Sequence, residues 1–222
     1  LFVIMLTSCL KRSLPPLRPY LPARCISSAT RHVSLIQGAN RGIGFALTKH
    51  LLERDGSSVS SRGGGGVVVA TCRDPSAALE LQELREQHKN RLEILPIDVT
   101  DEDSILHAST VVKKQFGRLD LLINCSAVLH LPDGEMVPET SISRFNADAA
   151  MQSYRVNAMG AVLMMKHFHE LMLATAKDNA SATITTTAAG SDHQQHHCHC
   201  PIPVIANLSA RVSSIGDNGL GG

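Results

Sequence analysis

The chain is short of every feature that would place it by bulk properties. Its formal net charge is +1, so charge alone gives no reason to expect a nucleic acid or an anionic membrane surface as a partner. No apolar run approaches the ~20 residues that span a bilayer. Leu1 to Leu6 is apolar but far too short. Six cysteines are present, Cys9, Cys25, Cys72, Cys125, Cys198 and Cys200, at scattered spacings that do not make a disulfide framework. A chain of 222 residues buries one sizeable core without such staples, which reads as a reducing compartment. Tyrosine is nearly missing, with only Tyr20 and Tyr154.

Acidic residues are missing from the first part of the chain, where none precedes Glu53. The same stretch carries Lys11, Arg12, Arg18, Arg24 and Arg31, with frequent serine and proline. A basic, acid-free leader over residues 1–31 reads as an organelle transit peptide, for a mitochondrion or a chloroplast, with Arg24-Cys25-Ile26-Ser27-Ser28 as a processing site. A disordered basic arm on a cytoplasmic protein has the same composition. The leader is taken as lying outside the fold, and residues 32–222 as one domain. The chain begins at Leu1 and ends on the turn-like Gly219-Leu220-Gly221-Gly222; the expectation is truncation, at the C-terminal end above all.

From His32 onward the pattern alternates. Val33 to Ile36 is a short β-branched run closed by glycine, as in a buried parallel strand. Ile43 to Arg54 has apolar residues at helical spacing. Ser57 to Gly66 is a low-complexity surface loop. Val67–Thr71, Leu92–Ile97, Leu119–Ile123 and Val204–Leu208 are further strands. Ser76–Lys89, Asp101–Phe116 and Ala149–Ala176 are helices, the second capped by Thr100 with Asp103 at its third position. Leu129–Asn146 is mostly loop. Lys177–Cys200, biased to Thr and Ala and then to Gln, His and Cys, is a loop insertion. Strand–helix alternation of this kind predicts an α/β fold, a doubly wound parallel sheet of Rossmann type, with the ligand at the carboxyl ends of the strands near the switch point.

One turn carries chemistry. Gly38-Ala39-Asn40-Arg41-Gly42-Ile43-Gly44 follows a strand and opens a helix, the context a dinucleotide site requires. Gly38 permits the tight turn, Gly42 has no side chain to block a pyrophosphate, and Gly44 lets the helix pack on the sheet. The helix N-terminus then offers backbone N–H groups and partial positive charge to phosphates. The spacing is G-x3-G-x-G. The second strand ends Thr71-Cys72-Arg73-Asp74. Arg73 can pair with a 2′-phosphate, and Arg41 within the turn adds a second cation. Asp74 can instead serve a ribose hydroxyl. The balance favours NADP(H) over NAD(H).

The turn resembles the cofactor motif of the short-chain dehydrogenase/reductase family, and the resemblance extends over about residues 33 to 222. Asp98-Val99-Thr100, after the third predicted strand, is similar to the family's adenine-pocket segment. Asn124-Cys125-Ser126-Ala127, after the fourth, is similar to its Asn-Asn-Ala-Gly motif, with alanine for the final glycine. Asn157 matches its structural and catalytic asparagine. Asn207 to Asn218 looks like the segment bearing the catalytic serine in the C-factor-like and sniffer-like carbonyl reductase branch. The resemblance implies hydride transfer between a nicotinamide and a small carbonyl or alcohol substrate. It implies cofactor contacts from Gly38, Asn40, Arg41, Gly42, Ile43, Gly44, Arg73, Asp98, Val99, Asn124, Ser126 and Ala127. Gln37 stands where threonine or another small residue is frequent.

The same resemblance implies a catalytic set: a tyrosine proton donor, a lysine that lowers its pKa, a serine that polarises the carbonyl and an asparagine supporting a proton relay. Asn157 supplies the asparagine. Ser214 and then Ser209 are the candidate serines, because Ala210 occupies the usual serine position. Neither Tyr20 nor Tyr154 begins a Tyr-x-x-x-Lys. In related reductases that motif follows a glycine pair matching Gly221-Gly222. Either the sequence is a fragment of a reductase, itself inactive, or it is a noncatalytic nucleotide-binding or scaffold protein. No nucleic-acid or membrane partner is expected, and a homo-oligomer is compatible with a full-length form. The tract His193, His196, His197, Cys198, His199 and Cys200 holds ligand types suited to zinc or copper. Low-complexity alternation without a second ligand pair reads as adventitious affinity, and no metal site is assigned.

Overall fold

The computed structural model describes residues 3–5, 31–57, 66–129, 141–187 and 202–209. Strand β1 is Val3–Met5, β2 Val33–Gln37, β3 Val67–Cys72, β4 Leu92–Pro96, β5 Leu121–Asn124 and β6 Val204–Leu208. Helix α1 is Gly42–Ser57, α2 Leu79–Gln87, α3 Glu102–Phe116, α4 Ala147–Tyr154 and α5 Gly160–Thr187. A π-helical turn, Arg155–Met159, joins α4 to α5. The sheet order is β1-β6-β5-β2-β3-β4, with every pair from β6 to β4 parallel. The chain runs outward from β2 through β3 to β4, then crosses to β5 and β6 on the other side. The switch point therefore lies between β2 and β5, and the α/β doubly wound expectation holds.

The strands form because their apolar residues are buried on both faces. Val33, Leu35, Val67 and Val69 point to one layer, where Ile105, Ala108 and Val112 of α3 and Met164 and Phe168 of α5 cover them. Ile36, Val68 and Ala70 point to the other, under Leu52 of α1 and Leu81 and Leu84 of α2. Two-sided burial explains why these strands read as continuous apolar runs rather than alternating ones.

The amino ends of the strands are tied by a buried ion pair. Asp120 accepts from the Val33 amide at 2.9 Å and from Arg118 Nε at 2.9 Å. Arg118 also donates to Asn179 of α5 at 3.1 Å, and the Leu119 amide donates to Thr175 Oγ1 at 2.9 Å. These contacts hold α5 along β5. Asn179 lies within the stretch expected to be a loop insertion from Lys177, and the helix runs on through the first part of that stretch to Thr187. The remainder of that stretch, with the His/Cys tract, lies outside the described residues.

Other boundaries differ for local reasons. The cap of α3 is Asp101, whose carboxylate accepts from Asp103 N, and not Thr100. Thr100 is engaged by Asp98, which accepts from its amide and hydroxyl at 2.8 and 2.7 Å; Asp103 is accordingly the second helical residue. Helix α2 begins at Leu79 rather than Ser76, because Asp74 holds Ser76 and Ala77 in a turn. Ile142–Arg144 forms a short 3-10 helix within the stretch read as loop. The leader also contributes to the sheet: β1 pairs antiparallel with β6, Val3 opposite Leu208. The proposed processing site, Arg24 to Ser28, lies outside the described residues.

Candidate functional site

The glycine turn leaves β2 at Gln37 and enters α1 at Gly42, and each glycine meets a different demand. Gly38 has φ +80° and Gly42 φ +58°, left-handed conformations that favour glycine. A Cβ at Gly42 would meet nothing within 4 Å, so the turn is open there. A Cβ at Gly44 would lie 2.1 Å from the Gly38 carbonyl oxygen, so α1 can approach β2 only with glycine at this position. Two amides, Gly38 N and Ala39 N, donate to the Thr71 carbonyl at 3.0 and 2.8 Å, which pins the turn to β3.

The first turn of α1 contains no acidic residue, and Asn40, Arg41 and Ile43 are exposed around it. An open helix N-terminus, an arginine and no competing carboxylate fit a diphosphate. The glycine cradle thus passes the steric and electrostatic test for a dinucleotide.

The neighbouring strand ends complete the rim. Arg73, just past β3, is exposed. Asp74 beside it is committed to its own turn: its Oδ1 accepts from Ser76 Oγ at 2.5 Å, Ser76 N at 2.9 Å and Ala77 N at 3.3 Å. The Ser76 hydroxyl, with help from the two amides, holds the Asp74 carboxyl below the ordinary carboxylate pKa. Past β4, Asp98 is half-buried and receives Thr100. Val99 is buried, and its side chain packs in the core, which leaves only its backbone to meet a ligand at this rim. Gly160 gives Val99 its room, since a Cβ there would lie 2.7 Å from Val99 Cβ.

Past β5 the chain supplies Asn124, Cys125, Ser126 and Ala127. Asn124 is 6% exposed and donates to Asn207 Oδ1 on β6 at 2.7 Å, so its side chain joins the two strands rather than lining the crevice. Burial pushes the Cys125 thiol up to about 11, which leaves it protonated and a poor nucleophile. Ser126 is half-buried and Ala127 exposed. Asn157 sits in the π turn and binds both polar groups of the Val128 backbone: the Val128 amide donates to its Oδ1 at 2.7 Å, and its Nδ2 donates to the Val128 carbonyl at 2.8 Å. Such π turns recur at functional sites. Ser209 follows β6 directly; Ser214 lies outside the described residues.

The glycine turn, Arg73, Asp98, Asn124 to Ala127 and Ser209 thus gather at the carboxyl edge of the parallel sheet, and Asn157 is fastened beside them through Val128. Two participants were not assigned to the site from the sequence, although Gln37 stood out as a departure from the family pattern and Asn207 opened the serine-bearing segment. Gln37 is 4% exposed and its Oε1 accepts from Ser126 N at 3.1 Å and Ser126 Oγ at 2.8 Å. Asn207 holds Asn124. The signal for both was a polar residue in an apolar strand, which must find a partner once buried. Among the described residues no group of three or more His, Cys, Asp or Glu is arranged to hold a metal.

The comparisons with known proteins agree with this geometry. The family model described as short chain dehydrogenase matches residues 32–199. An uncharacterized oxidoreductase of Schizosaccharomyces pombe is 32% identical over 166 residues, covering 74% of this chain and 57% of its own length. (-)-Isopiperitenone reductase of Mentha piperita is 31% identical over 132 residues, 58% of this chain and 38% of that enzyme. Among solved structures, an NADPH-bound carbonyl reductase from chicken fatty liver superposes with TM-score 0.56 at 31% identity, covering 67% of this chain and 51% of that one. Carbonyl reductase Sniffer of D. melanogaster has the same fold, with TM-score 0.56 at 23% identity over 68% of this chain and 56% of that one. The chain spans about half the length of the curated relatives it matches.

Proposed function

The chain belongs to the short-chain dehydrogenase family, and on that premise we propose that it binds NADP(H) to serve hydride transfer between the nicotinamide and a carbonyl or alcohol substrate. The observation that carries the cofactor choice is the pair at the end of β3. Asp74, the residue that would serve a ribose diol, spends its Oδ1 on Ser76 and Ala77. Arg73 is left exposed at the rim, where a guanidinium gives charge-assisted bonds to a 2′-phosphate. Arg41 adds positive charge on the turn. The similar carbonyl reductase from chicken fatty liver is NADPH-bound, and this supports the same choice of cofactor and of substrate class.

The chain's own residues have distinct parts in this reading. The glycine turn and the α1 N-terminus hold the diphosphate. Asn157 positions the loop after β5 through Val128. Ser214, with Ser209 as the second candidate, polarises the substrate carbonyl. When bound, the reduced nicotinamide supplies the hydride. The alcohol oxygen that forms must then take up a proton, and the sequence holds no Tyr-x-x-x-Lys to deliver it.

Titration of the 222-residue chain with NADPH and NADH, followed by nicotinamide fluorescence, tests the cofactor choice. NADPH binds tighter, and Arg73→Ala weakens NADPH about 10- to 100-fold while leaving NADH unchanged, the worth of a charged hydrogen-bonding pair. Tighter binding of NADH refutes the role of Arg73. In the same cuvette, carbonyl substrates produce no NADPH oxidation. Measurable turnover refutes the importance given to the missing tyrosine and lysine.

A further inference from the structure

The one buried polar side chain at the end of β2 lies at the switch point of the sheet. Gln37 closes β2 opposite Thr71 of β3 and Asn124 of β5. Its backbone carbonyl accepts from Cys125 N at 3.0 Å, and its side-chain Oε1 accepts from both the amide and the hydroxyl of Ser126. A single residue thus takes three donors from the loop after β5. On the opposite side, Thr71 takes the two amides of Gly38 and Ala39. There is little slack between turn and loop: a Cβ at Gly38 would lie 2.9 Å from Ser126 N and 3.1 Å from Ser126 Cα.

This arrangement has a consequence for ligands that cross the crevice. In a doubly wound sheet a dinucleotide straddles the switch point, one mononucleotide half over each set of strands. Here one half would lie over β2, β3 and β4 and the other over β5 and β6. The glycine turn is the inner lip of the first half, and the loop from Cys125 to Val128 is the lip of the second. Gln37 and Ser126 join those two lips directly.

We infer that Gln37 and Ser126 form a clamp that sets the spacing between the two halves of the site, making Gln37 a positioning residue for the whole dinucleotide but not for its adenosine half. The inference rests on the NADP(H) reading above. Gln37 suits the task because its side chain is long enough to reach past the strand end, and because one amide oxygen accepts from two donors. A small residue at position 37 leaves Ser126 N and Oγ without this partner and the second lip free to shift. Asn157 steadies the same loop two residues further on, through Val128, so the loop is held at two successive points.

The test compares two probes on the full chain: NADPH, which spans both lips, and 2′,5′-ADP, which occupies the first half alone. Gln37→Met removes both side-chain bonds to Ser126 and weakens NADPH about tenfold, while 2′,5′-ADP changes less than about twofold. Ser126→Ala removes only the hydroxyl bond and gives an intermediate loss for NADPH, about threefold; Ser126→Thr, which keeps the hydroxyl, restores wild-type affinity. The double variant Gln37→Met with Ser126→Ala is no worse than Gln37→Met. If Gln37→Met does not fold, Ser126→Ala decides, since it leaves the strand intact. An equal loss for both probes, or no loss for either, overturns the clamp while leaving the NADP(H) reading standing. A wild-type chain that binds neither probe overturns that reading, and the clamp with it.

Discussion

Alanine at Gly44 and alanine at Gly42 damage the protein in opposite ways, although the two glycines are separated by one residue. At Gly44 the added carbon would sit 2.1 Å from the Gly38 carbonyl oxygen, 2.9 Å from the Gly38 carbonyl carbon and 3.1 Å from Ala39 Cα. Ordinary van der Waals contact begins near 3.4 Å, so α1 and the turn must separate by about 1 Å. Both surfaces are backbone, and no side chain can swing away. Overpacking of this kind costs at least the upper part of its usual range, about 3 kcal/mol. For a chain of this size that lowers the thermal midpoint by about 6–12 °C. At Gly42 the carbon would enter open space, and the left-handed φ of +58° costs only about 1 kcal/mol, or about 2–4 °C. The open space is, however, where a pyrophosphate approaches. Gly42→Ala therefore stays folded and loses NADPH affinity by tenfold or more, whereas Gly44→Ala loses stability first. Thermal unfolding with and without NADPH separates the two: the ligand raises the midpoint of wild type more than that of Gly42→Ala. A Gly44→Ala protein that melts within 2 °C of wild type, or a Gly42→Ala protein that NADPH stabilises normally, refutes this account of the turn.

Two further perturbations probe the supports of the site. Burial opposes the charge on Asp120, but bonds from Arg118 and the Val33 amide, with the nearby charge of His32 and Arg118, hold its pKa below the ordinary carboxylate value. Its stabilisation is therefore complete above the unfolded carboxylate pKa of about 4 and is lost as pH falls through the lower folded value. Asp120→Asn lowers stability at pH 7 by about 3 kcal/mol, because Arg118 keeps its charge without its partner, and it flattens the acid limb of a denaturant-derived stability profile below pH 4. An unchanged acid limb contradicts the assignment. Asn157→Leu removes both bonds to the Val128 backbone and costs about 1 kcal/mol, the low end for two exposed bonds. Hydrogen exchange at the Val128 amide accelerates in this variant, and unchanged protection there rules out the tether.

The fold was legible wherever burial left a periodic trace. The strands β2 and β3 are apolar because helices cover both faces, β6 is only half-buried, and all the strands from β2 to β6 lie within a residue or two of the expected bounds. Helix ends were harder, for a physical reason: neighbouring residues compete for the same capping bonds. Thr100 and Asp101 are both good caps, and the choice fell to Asp101 because Asp98 had already engaged Thr100. The length of α5 was also hidden. Its last turns hold no apolar stripe in sequence, yet Thr175 and Asn179 are anchored by Leu119 and Arg118 at the base of β5. Propensity gives way to tertiary contact there.

The site divides along the same line. Gly38, Gly42 and Gly44 could be read from the sequence because each meets a backbone demand that only glycine meets cheaply. Gln37 and Asn207 could not, because their partners are 89 and 83 residues away, and a chain read in order does not show who faces whom. Arg73 and Asp74 fall between the two cases. The sequence offered a cation for a 2′-phosphate and an anion for a ribose diol side by side, each sufficient for a different cofactor. What separates them is geometry: Ser76 and Ala77 fold back onto the Asp74 carboxylate. For NADH to be preferred, the diol would have to bind through Asp74 Oδ2 alone, or Asp74 would have to give up the bonds to Oδ1. Arg73 has no comparable debt among its surroundings: it is exposed, and pairing with a phosphate costs it only solvent. In this reading the cofactor preference turns on which of two adjacent residues is already employed, and Ser76→Ala, which removes the hydroxyl bond and partly releases Asp74 while the two amide bonds remain, shifts the NADPH-to-NADH affinity ratio toward NADH. A ratio left unchanged by that release places the discrimination elsewhere, on Arg73 and Arg41 alone.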